Sequence, residues 1–314
     1  MKRWMWWGLA LIGAGLALRV VLKFPWQETG AALVGVNLWL LGAGFVVNLF
    51  SPLAKAWGWQ VLLRPVARAR WWTAQEANLV GTAVNIVGVG VSGEAARITL
   101  LHQRDGVPVR AGVLSVIAAR AVEALGLALF VVVAPTLMRL PATLRGLQIG
   151  AALALGSILL MARFQVWARL MPRLPSSIRT WASQLAEMGW GGRLVVPTMF
   201  AMVNWIAQWA AYQFTLEAMH IPARPAASFT AMIAVNLGGI VRVTPANIGV
   251  MQAAMAGALL AFGVPAERGI AAGFALQAIQ VLPILAFGVA LVGRTGLKRL
   301  LATPELTLSP PPPA

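Results

Sequence analysis

Ser92-Gly93-Glu94-Ala95-Ala96-Arg97 interrupts an apolar stretch that runs from Asn78 to Phe130, and Arg242-Val243-Thr244-Pro245-Ala246-Asn247 interrupts a second that runs from Ala234 to Phe287. Each break is followed by a Gly-Val-Pro turn (Gly106-Val107-Pro108 and Gly263-Val264-Pro265) and then by a long apolar helix. The two turns lie 157 positions apart, and the same offset carries Arg120 and Glu123 of the first long helix onto Gln277 and Gln280 of the second. Two copies of one unit, each built on an interrupted hydrophobic segment, point to a binding site near the middle of a membrane.

The rest of the chain agrees with that class. It is 59% hydrophobic and only 11% charged, with a mean hydropathy of +0.77. A soluble domain carries about 25% charged residues, and several apolar runs here approach or exceed the roughly 18 residues needed to cross hydrocarbon. The runs are continuous rather than alternating, which excludes a β-barrel. Cysteine is absent, so disulfides, thiolate metal sites and cysteine nucleophiles are excluded. The two histidines, His102 and His220, are far apart, and no cofactor or metal is expected. A net charge of +16 fits basic cytoplasmic loops better than nucleic-acid binding.

Loop charge gives a topology. Met-Lys-Arg precedes an apolar run from Trp4 to Leu22, with Trp4, Trp6 and Trp7 as interfacial anchors. No small-x-small cleavage site follows, so the run reads as a retained first helix, about 4–22, starting inside. Helix two runs from near Ala31 through Pro52 to about Leu63. The broken segment 77–103 then enters and returns as a re-entrant hairpin, which keeps Arg104 and Arg110 inside. Helices 111–134, 146–163 and 194–219 cross in turn, with the basic linker 163–193 inside. The second broken segment, 228–263, forms a hairpin from the outer side, and helix 268–292 returns. Most of the 25 basic residues fall inside on this map. The expected fold is thus all-α and polytopic, with about six full crossings and two re-entrant helical hairpins arranged as inverted repeats. A single transmembrane domain covers 1–302 (first repeat about 31–134, second about 194–292), and residues 303–314 form a disordered Pro-rich tail. The expected place is the plasma (inner) membrane, with both termini cytoplasmic.

Charges at the centre of a membrane helix cost about 2.5–3.5 kcal/mol on insertion scales, so polar residues there are paired or functional. In the first unit these include Asn78, Asn85, Ser92, Glu94, Arg97, Arg120 and Glu123. Residues three apart share a helix face, which lets Glu94 pair with Arg97 and Arg120 with Glu123. Two readings stand side by side. Both pairs are structural salt bridges, or Arg97 and Arg120 hold an anionic group while the carboxylates orient them. Arginine suits phosphate because its planar fork donates two parallel hydrogen bonds and keeps its charge. In the second unit the polar residues are Asn236, Arg242, Thr244, Asn247, Gln252, Gln277 and Gln280. Pro245 ends one half-helix, and the helix that restarts near Ile248 turns a positive dipole end toward the same site. The alternative is a packed break whose Asn and Thr cap the ends. Asn85, Gly93, Asn236 and Pro245 are expected to shape the breaks. Gly88-Val89-Gly90-Val91-Ser92-Gly93 fits G-x-G-x-x-G but lacks the strand, helix and acidic residue of a dinucleotide site.

These residues carry a resemblance. Trp57-Gly58-Trp59-Gln60-Val61-Leu62-Leu63, Gly93-Glu94-Ala95-Ala96-Arg97, Arg120-Ala121-Val122-Glu123 and Thr244-Pro245-Ala246-Asn247-Ile248-Gly249-Val250 occur in this order. Over about residues 8–295 the chain resembles the lysylphosphatidylglycerol synthase transmembrane region, a flippase-like integral membrane family. The resemblance implies a lipid-handling role. The family's synthase members carry aminoacylated phosphatidylglycerol, and stand-alone members are linked with polyprenyl-linked sugars or hopanoid-related lipids. This chain has no soluble synthase domain, so the expectation is a protein that does not make the lipid and is not an enzyme. It departs from the family's pattern at Val89 and Arg242 (prolines), Val91 (an arginine), Ala246-Asn247 (a glycine pair), Gln252 (an acid) and Gln277 (an arginine).

The expected function is translocation of an anionic or modified lipid between leaflets. The substrate would be held by Glu94, Arg97, Arg120, Glu123, Arg242, Thr244, Asn247, Gln252, Gln277 and Gln280. Expected partners are membrane lipids with an anionic head group and no nucleic acid; a homodimer and a lipid-modifying enzyme stay open. Two alternatives also remain: a secondary transporter of a small anionic solute, and a non-transporting membrane partner of a lipid-modifying enzyme.

Overall fold

The structure, a computed structural model, describes residues 26–87, 92–163, 172, 191–222, 224–240 and 244–295. The expected helix 4–22, Arg242 and the Pro-rich tail lie outside these residues, as does nearly all of the 163–193 linker. The described residues are all-helical, without strands. Four of their helical segments are long and apolar enough to cross a membrane: Leu38–Leu63, Val109–Leu137, Gly192–Ala218 and Ala266–Gly288.

The helix expected from Ala31 is two helices, α1 (Trp26–Leu33) and α2 (Leu38–Leu63). The interruption has a local cause. Gly35 takes a φ of 84°, a left-handed conformation that ends a helix, and the Asn37 side chain then accepts hydrogen bonds from the Trp39 and Leu40 amides to start the next one.

The first broken segment is a pair of antiparallel helices, α3 (Trp71–Val87) and α4 (Ser92–Asp105). At its open end Asp105 accepts from the Arg70 amide (2.7 Å), Arg70 Nε (2.8 Å) and Thr73 Oγ1 (3.1 Å), and Arg104 pairs with Glu76 at 3.1 Å. At its closed end the chains touch through glycine. A Cβ on Gly93 would collide with the Gly81 carbonyl oxygen and the Asn85 side chain. Asn85 closes the tip, its Oδ1 accepting from the Gly93 amide (2.9 Å) and its Nδ2 donating to Glu94 (3.1 Å).

After Gly106 (φ 65°), α5 runs Val109–Leu137 and α6 Arg145–Arg163. Next come α7 (Val195–Ala218) and the second broken segment, α8 (Pro225–Gly238) and α9 (Val250–Leu260), with a short turn at Pro245–Asn247 between them. Gly238 approaches Val250 and Ala254, so this pair too folds back on itself. The restart expected near Ile248 comes at Val250, because Ala246, Asn247 and Gly249 all have positive φ (53°, 54° and 89°) and hold the chain out of the helix. Gly263 (φ 76°) then leads into α10 (Ala266–Thr295).

The 157-residue offset extends to the elements. Helix α2 starts at Leu38 and α7 at Val195, while α5 starts at Val109 and α10 at Ala266. Helices α2 and α7 lie antiparallel at small residues, with Gly44 against Ala211 and Phe214 and Gly58 against Pro197 and Phe200, the close approach that glycine permits between membrane helices. The open ends of the two hairpins lie at opposite ends of α2. Gln60 Nε2, near its C-terminus, donates to Ala69 O just before α3. At the other end the Asn37 amide donates to Ala218 O, and Arg268 Nη2 donates to the Met219 and His220 carbonyls beside the second hairpin. The closed ends meet, the Pro245–Asn247 turn packing against α3.

Candidate functional site

Where the two hairpin tips meet, a cavity of about 390 Å³ opens between α2, α3, α4, α5, α7, α10 and the second break. Three cations bound it: Lys55 from α2, Arg97 from α4 and Arg120 from α5. Asn236, Thr244, Asn247 and Gln280 bound it from the second unit, and Asn85 from the first tip. No carboxylate lines it among the described residues.

The carboxylates stand behind the cations. Arg120 Nη2 donates to Glu94 Oε1 at 2.5 Å and its Nη1 to Glu123 Oε2 at 3.2 Å, while Lys55 Nζ lies 3.9 Å from Glu123 Oε2. The expected Arg120–Glu123 pair is therefore present. For Glu94 the structure supplies Arg120 as basic partner, where the sequence offered Arg97 three residues on. Arg97 instead donates to Thr82 Oγ1 (3.4 Å) and lies over the Trp59 ring, 5.6 Å from its centroid. Gly81 makes this route possible. A Cβ there would strike Arg97 Cγ, so only glycine lets the arginine stem lie flat on α3. The contact with Trp59 is a cation–π interaction.

The second unit divides in two. Gln252 and Gln277 hold the break together rather than lining the cavity. Gln252 Nε2 donates to Gln277 Oε1 (2.6 Å), Gln277 Nε2 to Ala246 O (2.8 Å), and the Gly249 amide to Gln252 Oε1 (2.7 Å). For these two residues the packed-break reading applies, because their amides satisfy backbone groups that the break frees. Thr244 Oγ1 is also spent locally, on Ile248 O (2.7 Å). Asn247 differs: its Oδ1 is buried and has no hydrogen-bond partner among the described residues. Pro245 opens the turn at the second tip.

Sequence reasoning missed two polar stripes. Asn48, Ser51 and Lys55 share one face of α2, and Asn204, Gln208 and Tyr212 one face of α7; all but Asn204 line the cavity. Asn204 Oδ1 joins the stripes by accepting from Ser51 Oγ (2.6 Å) and Gln208 Nε2 (3.0 Å). The signal was available as helical spacing within two apolar helices. The 157-residue offset also pairs Ser51 with Gln208 and Lys55 with Tyr212.

Among the described residues no group of three or more His, Asp or Glu side chains could hold a metal ion. The arrangement can accept an anion: three cations in the wall, two of them held in place by carboxylates that do not themselves line the cavity, and neutral amides from the second unit. The family model described as lysylphosphatidylglycerol synthase TM region matches residues 5–288. No curated protein and no solved structure matches the chain.

Proposed function

We propose that this chain, which belongs to the lysylphosphatidylglycerol synthase TM region family, is a translocator that moves an anionic lipid between the leaflets of the plasma membrane. One observation carries the reading: the cavity between the two hairpin tips is bounded by Lys55, Arg97 and Arg120 and by no described carboxylate. Charges at membrane depth are paired or functional, and Lys55 and Arg120, though paired from behind by Glu94 and Glu123, still face an open cavity.

Depth is supported by α2. Trp39 is 90% exposed and Trp57 is 42% exposed. They are eighteen residues apart, about 27 Å at 1.5 Å per residue, close to the roughly 30 Å of hydrocarbon that interfacial tryptophans bracket. Asn48, halfway between them, lies in the cavity wall. The architecture we infer is six crossings and two re-entrant hairpins in inverted repeats, with both termini cytoplasmic. The common offset of the paired elements and the opposite placement of the hairpin open ends support it. Rocking one repeat against the other would present the cavity to each leaflet in turn, while the acyl tails stay in the bilayer.

The test is a leaflet-resolved assay in liposomes carrying labelled phosphatidylglycerol. The wild type should accelerate equilibration, Lys55→Ala and Arg120→Ala should abolish the acceleration, and Lys55→Arg should retain it. No acceleration across a panel of anionic lipids overturns the translocator reading in favour of solute transport or an accessory role.

A further inference from the structure

The cavity wall is chemically divided between the two units, and the division restricts what the head group can be. The first unit contributes Lys55, Arg97 and Arg120. Among the described residues the second contributes neutral donors and acceptors, Asn236, Thr244, Asn247 and Gln280 among them. Resting on the translocator reading above, we propose that the site takes a phosphate-bearing head group whose remainder is uncharged and hydroxyl-rich, and that it rejects an aminoacylated, cationic one.

Three observations support this. First, a lysylated head group would bring ammonium groups into a wall whose described ionisable members are all cationic. Like-charge juxtaposition in a partly desolvated space is a strong means of rejection. Second, the two carboxylates near enough to neutralise an ammonium, Glu94 and Glu123, are engaged by Arg120 and Lys55 and lie outside the lining. Third, Asn247 bounds the cavity with a buried Oδ1 lacking any described hydrogen-bond partner. Buried polar atoms are normally satisfied, so this oxygen suits a ligand group that donates a hydrogen bond, as a hydroxyl does. Its backbone φ of 54° fixes it at the turn between α8 and α9. The two units also differ in charge at an equivalent position. Glu123 of the first unit corresponds at the 157-residue offset to Gln280 of the second, and Gln280 lines the cavity. The second unit thus offers an amide where the first has a carboxylate.

The experiment measures binding to the purified full chain in detergent, with three probes: dihexanoyl phosphatidylglycerol, its lysylated form, and free glycerol phosphate. For the wild type we expect phosphatidylglycerol to bind at least about tenfold more tightly than the lysylated lipid, a difference of about 1.4 kcal/mol. Gln280→Glu, which places a carboxylate in the cavity wall, should narrow that ratio about tenfold or invert it. Equal binding of the two lipids by the wild type overturns the proposal and leaves lipid translocation standing. An unchanged ratio in Gln280→Glu also overturns it, because the head group would then not reach the amides of the second unit. Free glycerol phosphate binding as tightly as the lipid supports the head-group chemistry but overturns the lipid reading in favour of a soluble anion. No binding of any probe overturns both.

Discussion

Arg120 Nη2 lies 2.5 Å from Glu94 Oε1, joining side chains 26 positions apart across the tip of the first hairpin. The same guanidinium holds Glu123, and Glu123 faces Lys55. One arginine therefore ties the start of α4 to α5, and through Glu123 to α2. Glu94 sits in the first turn of α4, where the helix dipole favours a negative charge. An anion entering the cavity must share Arg120 with two carboxylates, so binding and the grip on the hairpin tip draw on the same side chain.

That coupling is measurable. Glu94→Gln, Arg120→Gln and the double variant form a cycle read by thermal unfolding in detergent. The Arg120 side chain is half exposed, so the interaction should be worth about 1 kcal/mol rather than the value of a fully buried pair. Additive single effects would show that the pair does not hold the tip.

The tip also depends on the absence of a side chain. Gly93 meets the Gly81 carbonyl and Asn85 with no space for a Cβ. Gly93→Ala should destabilise the protein by about 1–3 kcal/mol, the usual cost of overpacking. Gly257→Ala, at an exposed position in α9 with nothing within 4 Å of a new Cβ, should be neutral or slightly stabilising. Equal effects at the two positions would contradict the close approach of α3 and α4.

The hairpins, the turns and the long helices were legible because glycine and proline punctuation is local and apolar length is additive. Arg120–Glu123 was legible because it is an i, i+3 pair on one helix. Arg120–Glu94 was not, because the contact depends on how α4 packs beside α5. Lys55 escaped notice for a related reason. It sits toward the C-terminal end of α2, where an isolated lysine reads as a loop neighbour, and only its spacing from Asn48 and Ser51 marks a cavity-facing stripe. In the second unit the sequence could not separate Gln280, which lines the cavity, from Gln277, which satisfies the Ala246 carbonyl. The two are one helical turn apart, and the difference is made by the break packed against them.

Gln277 and Gln280 should therefore fail in different ways. Gln277→Leu strands the Ala246 carbonyl and one bond of Gln252, a loss of about 1–3 kcal/mol in stability. Gln280→Leu leaves described backbone contacts intact and should lower lipid translocation with little change in melting temperature. The pairing of readouts is decisive: a Gln280→Leu variant that unfolds early and a Gln277→Leu variant that does not would reverse the assignment.

The proposed inverted arrangement makes a prediction about sidedness that the chain is well suited to test, since it contains no cysteine. Arg68, just before α3, and Ala261, just after α9, are both exposed and lie at the open ends of the two hairpins. Parallel repeats would place both positions on one side of the membrane; inverted repeats place them on opposite sides. With a membrane-impermeant maleimide added to intact cells, Ala261→Cys should label and Arg68→Cys should label only after permeabilisation. The substitutions are mild: Ala261 is small, and no described hydrogen bond or ion pair involves the Arg68 side chain. Labelling of both from the same side would refute the inversion. A cavity assembled from two hairpins of the same orientation could not exchange its opening between leaflets by rocking one repeat against the other.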